Sequence, residues 1–321
     1  MQEAAVVRER AAMRPAVAGA LRRLGHEMDD LVVVAADARA LAVPFATDFP
    51  DRFIDVGIAE ANLMGVAGGL ARTGRPVVVC GMAPFLMRRA AEQLRLDVCV
   101  PGLPVTVLGV GGGVAYGDLG ASHHAPEDLA TMASMPGTQV YCPADVHDAR
   151  WSLARAVTSG GPAYVRLGAR EDAVVHDEDD DFSPAGTLRG DADYDILVVA
   201  AGATVAPALD ATRTARYEGL RAAVLDLVQV HPFPREAVQR AARRARLVVS
   251  VEEHVGASGI GAQTALALVG RWEGAFRSLA IGDGVAAPGA DRDQLFAAYG
   301  IDAPAIHGAM TTNTITTTGE V

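Results

Sequence analysis

The sequence contains no lysine, so every basic residue is an arginine. Without lysine the chain cannot form a Schiff base, which excludes the lysine-dependent aldolase and pyridoxal-phosphate routes of carbonyl chemistry. Cysteine is scarce as well, with three widely separated residues at Cys80, Cys99 and Cys142. Their odd number and spacing indicate buried thiols in a reducing cytoplasm, and not a disulfide framework or a zinc site.

A basic surface and long apolar runs are also missing. The net charge of -11 argues against a nucleic-acid partner, because no basic stripe is present to neutralise phosphates. No uncharged apolar stretch is long enough to span a bilayer, and no signal peptide is recognised at the start. With half of its 321 residues apolar and 21% charged, the chain is expected to be cytoplasmic, globular and not membrane-bound.

Short apolar runs alternate with helical segments along the chain. Runs typical of buried parallel strands occupy residues 31–37, 53–56, 76–81, 105–110, 140–145, 163–167, 196–202, 221–227 and 247–254. A helical lead-in is expected over residues 1–28, and a loop followed by a helix over 82–96. The pattern predicts an α/β protein of two consecutive domains, each a mainly parallel sheet flanked by helices.

An acidic segment at residues 176–193 divides the chain. Because runs of like charge are usually solvated, we interpret this segment as a linker. It separates a first domain at 1–175 from a second at 194–310. The threonine-rich tail at 311–321 is expected to be disordered.

Glu60 lies at the start of a predicted helix that is rich in alanine and glycine, including Gly65, Gly68 and Gly69. Each interior glycine costs about 1 kcal/mol relative to alanine. A helix that keeps several glycines is usually approached closely by another helix, a subunit or a flat ligand. Taken alone, Glu60 is better explained as a first-turn carboxylate that the helix dipole favours.

The rest of the chain favours a functional interpretation of Glu60. In order along the chain, the segments that carry a family resemblance are 57–71, 74–77, 84–86, 92–95, 117–124, 143–145 and 161–166. They resemble the pyrimidine-binding domain of thiamin-diphosphate enzymes of the transketolase family, and 226–261 resembles that family's C-terminal domain. The resemblance implies that Glu60 hydrogen-bonds N1′ of the aminopyrimidine and promotes the 4′-imino tautomer, which deprotonates C2 of the thiazolium. Such chemistry needs a carboxyl group that keeps or shares a proton near neutral pH, as a water-poor site allows.

The resemblance assigns three further residues to the cofactor. Phe85 matches the aromatic residue that stacks on the aminopyrimidine, and Ile58 lies beside the catalytic carboxylate in the same motif. Asp37 ends a predicted strand, where open α/β sheets place ligand contacts, and lies near the thiazolium by resemblance. Without the resemblance, Phe85 would be a core residue and Asp37 a cap or turn residue. Arg88 and Ala91 replace two residues that are aromatic in ordinary transketolases, so the pocket is only partly matched.

His123 matches the family's histidine that faces the reacting carbon. Imidazole suits this role because it titrates near working pH and can donate or relay protons at substrate oxygens. The adjacent His124 either shares the role or packs in the core. The pair is not predicted to bind a metal, since no third ligand lies at a suitable spacing.

Asp118, Arg166 and Arg170 are the other predicted substrate contacts. The two arginines lie near the family's phosphate-binding arginine, and guanidinium groups suit phosphate recognition; surface arginines also commonly face solvent, so both explanations stay open. Gly111 replaces another substrate-facing histidine. Leu119 replaces an aspartate that recognises the acceptor hydroxyl, and Asp118 beside it could compensate.

Thiamin diphosphate also needs contacts to Mg²⁺ and to its diphosphate. A Gly-Asp-Gly motif at 282–284 with Asn313 downstream resembles the family's signature, but it lies in the C-terminal region and Pro288 and Pro304 interrupt the stretch. We therefore expect no metal site on this chain. A partner chain, the N-terminal diphosphate-binding subunit, would hold Mg²⁺ in an α2β2 heterotetramer with the Glu60 helix at the interface.

The expected activity is that of the C-terminal subunit of a two-component transketolase. It would transfer a two-carbon ketol unit from a ketose donor to an acceptor, with Glu60 and His123 as catalytic residues. Two alternatives stay open. One is the β subunit of a 2-oxoacid dehydrogenase E1 component, which has the same two-domain layout; the other is a non-catalytic binding subunit of the same fold.

Overall fold

The computed structural model describes residues 9–282 and 289–312. Some sequence-based predictions fall outside these ranges. They are the first residues of the helical lead-in, most of the Gly-Asp-Gly motif, Asn313, and the tail from residue 313 onward.

Strands occupy both halves of the described chain. In chain order they are β1 (Arg10–Ala12), β2 (Val32–Ala35), β3 (Phe53–Asp55), β4 (Val77–Met82), β5 (Val105–Val110), β6 (Gln139–Tyr141), β7 (Ala163–Leu167), β8 (Glu171–Ala173), β9 (Thr187–Gly190), β10 (Ile196–Ala200), β11 (Ala222–Asp226), β12 (Gln229–His231), β13 (Leu247–Val255) and β14 (Ala275–Ile281).

Helices connect these strands. In chain order they are α1 (Met13–Glu27), α2 (Arg39–Asp48), α3 (Glu60–Ala71), α4 (Ala83–Arg89), α5 (Ala91–Gln93), α6 (Asp128–Ala133), α7 (Val146–Thr158), α8 (Val205–Tyr217), α9 (Arg235–Ala242), α10 (Ile260–Leu268), α11 (Arg292–Tyr299) and α12 (Ala303–Thr311). Short 3₁₀ turns span Pro50–Arg52, Gly117–Ser122 and Gly202–Thr204, and a π-helical turn spans Leu94–Cys99. Within the described ranges, no helix combines the length and apolarity needed to cross a bilayer.

The first sheet has the strand order β12-β6-β7-β5-β4-β2-β3. All neighbours are parallel except β12, which pairs antiparallel with β6. The residues of β2, β5 and β7 are buried throughout, and helices cover both faces with apolar side chains. Because β2, β3, β4, β5 and β7 are parallel, the loops after them meet at one edge of the sheet.

The second sheet has the order β14-β13-β10-β11-β9, with only β9 antiparallel to its neighbour. Two mainly parallel sheets in sequence, each flanked by helices, confirm the predicted fold class. The helix predicted within 82–96 begins at Ala83, directly after β4, so the loop expected there is absent.

The expected solvated linker at 176–193 needs correction in two places. Thr187–Gly190 forms β9 at the edge of the second sheet, and His176 is 4% exposed. In addition, β12, which follows the second domain's β11, completes the first sheet. The two domains are therefore interlocked through their backbones.

His176 lies between two buried carboxylates, one from each domain. Its Nδ1 is 3.1 Å from Oδ2 of Asp145, and its Nε2 is 2.9 Å from Oδ2 of Asp226. Asp145 also caps α7 by accepting from the backbone N–H groups of His147 and Asp148. Burial lowers the pKa of His176, but the two carboxylates outweigh it and raise the pKa to about 10. Burial likewise opposes ionisation of Asp145, yet His176 brings its pKa down to about 2.

Replacing His176 by Gln should destabilise the fold most at mildly acidic pH. The substitution keeps the volume but removes the cation between two buried carboxylates, a loss on the order of 3–5 kcal/mol. Because the folded pKa of His176, about 10, exceeds the unfolded value of about 6.5, the contribution is full below pH 6.5 and is lost as pH rises through 10. Denaturant unfolding from pH 5 to pH 9 measures this trend.

His26→Gln is the matched control. His26 also contacts a carboxylate, with its Nε2 2.9 Å from Asp48, but 59% of its side chain is exposed. An exposed pair contributes about 0–1 kcal/mol. Equal losses in the two variants, or a His176→Gln loss that grows with pH, would contradict a buried cation between the domains.

Candidate active site

The predicted site residues lie in the loops and helix starts at the carboxyl edge of the first sheet. Asp37 follows β2, Glu60 begins α3 after β3, and Phe85 lies in α4 directly after β4. His123 lies in the loop after β5, and Arg170 follows β7. This edge is where parallel α/β sheets bind ligands.

Glu60 is held at the first residue of α3, where the helix dipole favours a carboxylate. It is 3% exposed. Its two carboxylate oxygens lie 3.3 and 3.2 Å from one nitrogen, Nη1 of Arg89 on α4. The carboxylate is thus largely withdrawn from solvent and paired with one cation.

Phe85 connects Glu60 with His123. The guanidinium carbon of Arg89 lies 4.2 Å from the centre of the Phe85 ring, in cation–π geometry. On its other contact, the Phe85 ring meets the His123 ring edge to face at 5.3 Å between centroids. The sequence-predicted residues Glu60, Phe85 and His123 therefore form one cluster, together with Arg89. We call these four residues the Glu60 cluster.

His123 is positioned by its neighbours in the loop. Oγ of Ser122 is 2.9 Å from its Nδ1, and the Tyr116 ring lies 6.1 Å away. Tyr116 also explains why Gly111 departs from the family pattern. A Cβ at Gly111, whose φ is +76°, would lie 2.2 Å from the Tyr116 ring, so no side chain fits there.

Asp37 and Ile58 flank the Glu60 cluster along the sheet edge. Asp37 has a φ of +56°, unusual for a residue with a side chain. It lines a cavity of about 70 Å³ with Met82, Val110 and Tyr116, the residue that contacts His123. Ile58, two residues before Glu60, is 70% exposed. Both stay predicted cofactor contacts.

Asp118 and Arg170 pair with each other at 2.7 Å, and their side chains are 46% and 68% exposed. His124 is 5% exposed, and its Nε2 has no hydrogen-bond partner in the described part of the chain. Burial lowers the pKa of His124, which keeps the imidazole neutral. These three residues stay predicted substrate contacts.

The prediction that Arg166 contacts substrate needs correction. Arg166 lies in β7 with its side chain 8% exposed. Its Nε donates to both carboxylate oxygens of Asp128 at 3.1 and 3.0 Å, its Nη2 also bonds Asp128, and its Nη1 donates to the backbone oxygen of Glu253 at 3.0 Å. Burial opposes the charge, but Asp128 raises the pKa of Arg166. All three nitrogens are engaged, so Arg166 joins the first domain to β13.

The small residues of α3 serve two surroundings. A Cβ at Gly68 would lie 2.7 Å from the backbone oxygen of Asp97, so this glycine allows a close approach within the chain. Gly65 and Gly69 are exposed, and a Cβ at either would meet nothing within 4 Å. The close approach expected from the sequence is therefore present on one side of the helix, while the other side is open.

Sequence reasoning missed Arg89 and Tyr116. Arg89 lies four residues after Phe85 on one helix, a spacing that places both on the same face, and that signal was available. Its contact with Glu60 requires the adjacency of the loops after β3 and β4, which no local pattern shows. In the described ranges, no group of three or more His, Cys, Asp or Glu residues could hold a metal ion.

Comparison with known families accounts for both domains. Residues 9–171 match the model described as "Transketolase, pyrimidine binding domain". Residues 187–306 match the model described as "Transketolase, C-terminal domain". The first match contains every residue of the Glu60 cluster.

Individual proteins of similar sequence and fold are subunits of divided enzymes. The chain is 35% identical to one subunit of an apulose-4-phosphate transketolase from Actinobacillus succinogenes, covering 86% of this chain and 90% of that one. It is 37% identical to the corresponding subunit from Phocaeicola vulgatus, covering 78% and 81%. A solved structure described as "Split gene transketolase, inactive beta4 tetramer" superposes with a TM-score of 0.83 at 34% identity, covering 93% of this chain and 96% of that one. The 2-oxoacid dehydrogenase alternative is not better supported by these similarities.

Proposed function

The chain belongs to the transketolase family, of which it carries the pyrimidine-binding and C-terminal domains, and from this we propose that it is the C-terminal subunit of a two-component transketolase. It would transfer a two-carbon ketol unit from a ketose donor to an acceptor. The observation that carries the proposal is the convergence of Glu60, Phe85 and His123 at the carboxyl edge of the first sheet. Its three cysteines are buried free thiols, which fits a cytoplasmic enzyme.

The Glu60 cluster fits the aminopyrimidine of thiamin diphosphate. A planar cation already lies against the Phe85 ring with an N–H group directed at Glu60, so a flat ring with a hydrogen-bonding nitrogen suits the same place. Thiamin diphosphate, when bound, supplies the nucleophilic carbon that carries the ketol unit. Glu60 would hold a proton at N1′, and Phe85 would support the ring. His123 would exchange a proton with a substrate oxygen, with its Nδ1 oriented by Ser122.

The diphosphate and Mg²⁺ are proposed to be held by a partner subunit. The similar proteins are themselves named as one subunit of a divided enzyme, which supports this arrangement. The open side of α3, at Gly65 and Gly69, and the exposed Ile54 and Ile58 supply an apolar surface beside Glu60. We propose an α2β2 heterotetramer in which this surface meets the partner.

Calorimetric titration of thiamin diphosphate and Mg²⁺ tests the shared site. Binding is expected only when this chain is mixed with the partner chain that carries the Gly-Asp-Gly and asparagine signature. The assembled complex should then transfer ketol units from a ketose without a lipoyl carrier. Tight binding to this chain alone would contradict a divided site. Decarboxylation of a 2-oxoacid in place of ketol transfer would contradict the transketolase activity.

A further inference from the structure

Arg89 occupies the place that the proposed function assigns to the aminopyrimidine. Its guanidinium carbon lies 4.2 Å from the centre of the Phe85 ring. Its Nη1 lies within 3.3 Å of both carboxylate oxygens of Glu60. An aromatic face and the Glu60 carboxylate are the two contacts expected of the cofactor's ring, so the side chain and the ring compete for one volume.

The guanidinium group is a good substitute for the ring in chemical terms. It is planar and delocalised, stacks on aromatic faces, and presents N–H donors in its plane. Lysine, which is absent from this chain, could offer the charge but not the flat shape. The match therefore involves shape as well as charge.

The geometry also indicates that Arg89 can be displaced. Charge-assisted N–H···O bonds are typically 2.7–2.9 Å long, whereas the two contacts to Glu60 measure 3.3 and 3.2 Å. The Arg89 side chain is 54% exposed, so water is at hand to receive it when it leaves. Glu60 is 3% exposed and would be left without its partner cation if nothing replaced Arg89.

We propose that Arg89 is a placeholder for the aminopyrimidine. In the chain without cofactor it pairs with Glu60 and covers Phe85, and cofactor binding requires it to swing out to solvent. Only the open fraction of the subunit is then competent to bind, which weakens the apparent affinity by that fraction. The inference rests on the proposed function, because the competing ligand is the cofactor of that reaction.

The test compares the dissociation constant of thiamin diphosphate, at saturating Mg²⁺, for assembled complexes of three chains. These are the wild type, Arg89→Met and Arg88→Met. Arg89→Met keeps an apolar stem but removes the competitor, and should bind about tenfold more tightly, the size expected for one released ion pair plus one cation–π contact. Arg88 is the neighbour on α4 with 46% of its side chain exposed, but it pairs with Glu127. Arg88→Met removes the same charge and should leave the affinity close to that of the wild type.

Arg89→Lys provides a second variant that keeps a cation near Glu60, in case Arg89→Met folds poorly. Its ammonium group cannot stack as a plane, so its affinity for the cofactor should rise by a smaller factor. Unchanged affinity in Arg89→Lys, or weaker binding in a folded Arg89→Met complex, would overturn the placeholder. Equal gains in the Arg88 and Arg89 variants would assign the effect to charge and also overturn it. If the wild-type complex does not bind thiamin diphosphate at all, the proposed function itself fails, which is a different outcome.

Discussion

Replacing Glu60 by Gln is expected to lower the ketol-transfer rate of the assembled enzyme by about 10²–10⁴-fold, the range typical of losing a positioned acid–base group. The amide has nearly the same volume and can still hydrogen-bond at the start of α3. It cannot exchange a proton with N1′, so the loss should fall on turnover. Steady-state kinetics with the partner chain measures the rate, and co-purification of the two chains shows that the complex remains intact.

Glu127→Gln is the matched control for that experiment. Glu127 also pairs with an arginine of α4, Arg88, but lies outside the Glu60 cluster. Its replacement should leave turnover close to that of the wild type. Wild-type turnover in Glu60→Gln would remove Glu60 from the mechanism. An assembled wild-type complex that binds cofactor but turns over no substrate would favour the non-catalytic alternative.

Replacing Arg166 by Met should lower the free energy of unfolding by about 3–5 kcal/mol. The Asp128 side chain has no exposed surface and bonds the Arg166 guanidinium through both oxygens. The hydroxyl of Tyr164 also donates to Asp128 at 2.7 Å, but a neutral donor does not balance a buried charge. The backbone oxygen of Glu253 loses its donor as well. Urea unfolding followed by circular dichroism measures the loss.

Two further variants identify the cause of that loss. Arg170→Met removes an arginine from an exposed pair, with Asp118, and should cost no more than about 1 kcal/mol. The double variant Arg166→Met with Asp128→Leu removes both buried charges and should recover part of the stability. A double variant that is less stable than Arg166→Met by the full cost of a second core substitution would show that charge burial is not the cause.

The parts of the fold that sequence predicts well are those encoded locally. The strands β2, β5 and β7 are short runs of buried apolar residues between helices, and their positions follow from that pattern. Strand β12 does not, since it has three residues and its partner β6 lies some ninety positions earlier. The acidic composition of 176–193 likewise hides His176, because its burial depends on carboxylates supplied by two other segments.

The site divides along the same line. The resemblance identified Glu60, Phe85 and His123, which the fold brings to one edge, whereas composition alone favoured a helix-dipole carboxylate at Glu60. Arg166 was misjudged because an arginine after a strand resembles a phosphate ligand. Its partner Asp128 is 38 residues away, and only the packed structure shows that β7 buries the guanidinium group against it.

Strand β12 has a consequence for the order in which this chain matures during translation. The first sheet lacks its β12 edge until residues Gln229–His231 have been synthesised, 64 residues after the end of β7. At translation rates of about 5–20 residues per second, the nascent chain carries an uncovered β6 for roughly 3–13 s. An open strand edge readily pairs with other chains. The amino-terminal half therefore emerges as a folding intermediate that depends on chaperones or on prompt arrival of the second half, and it cannot be transplanted as a self-sufficient module.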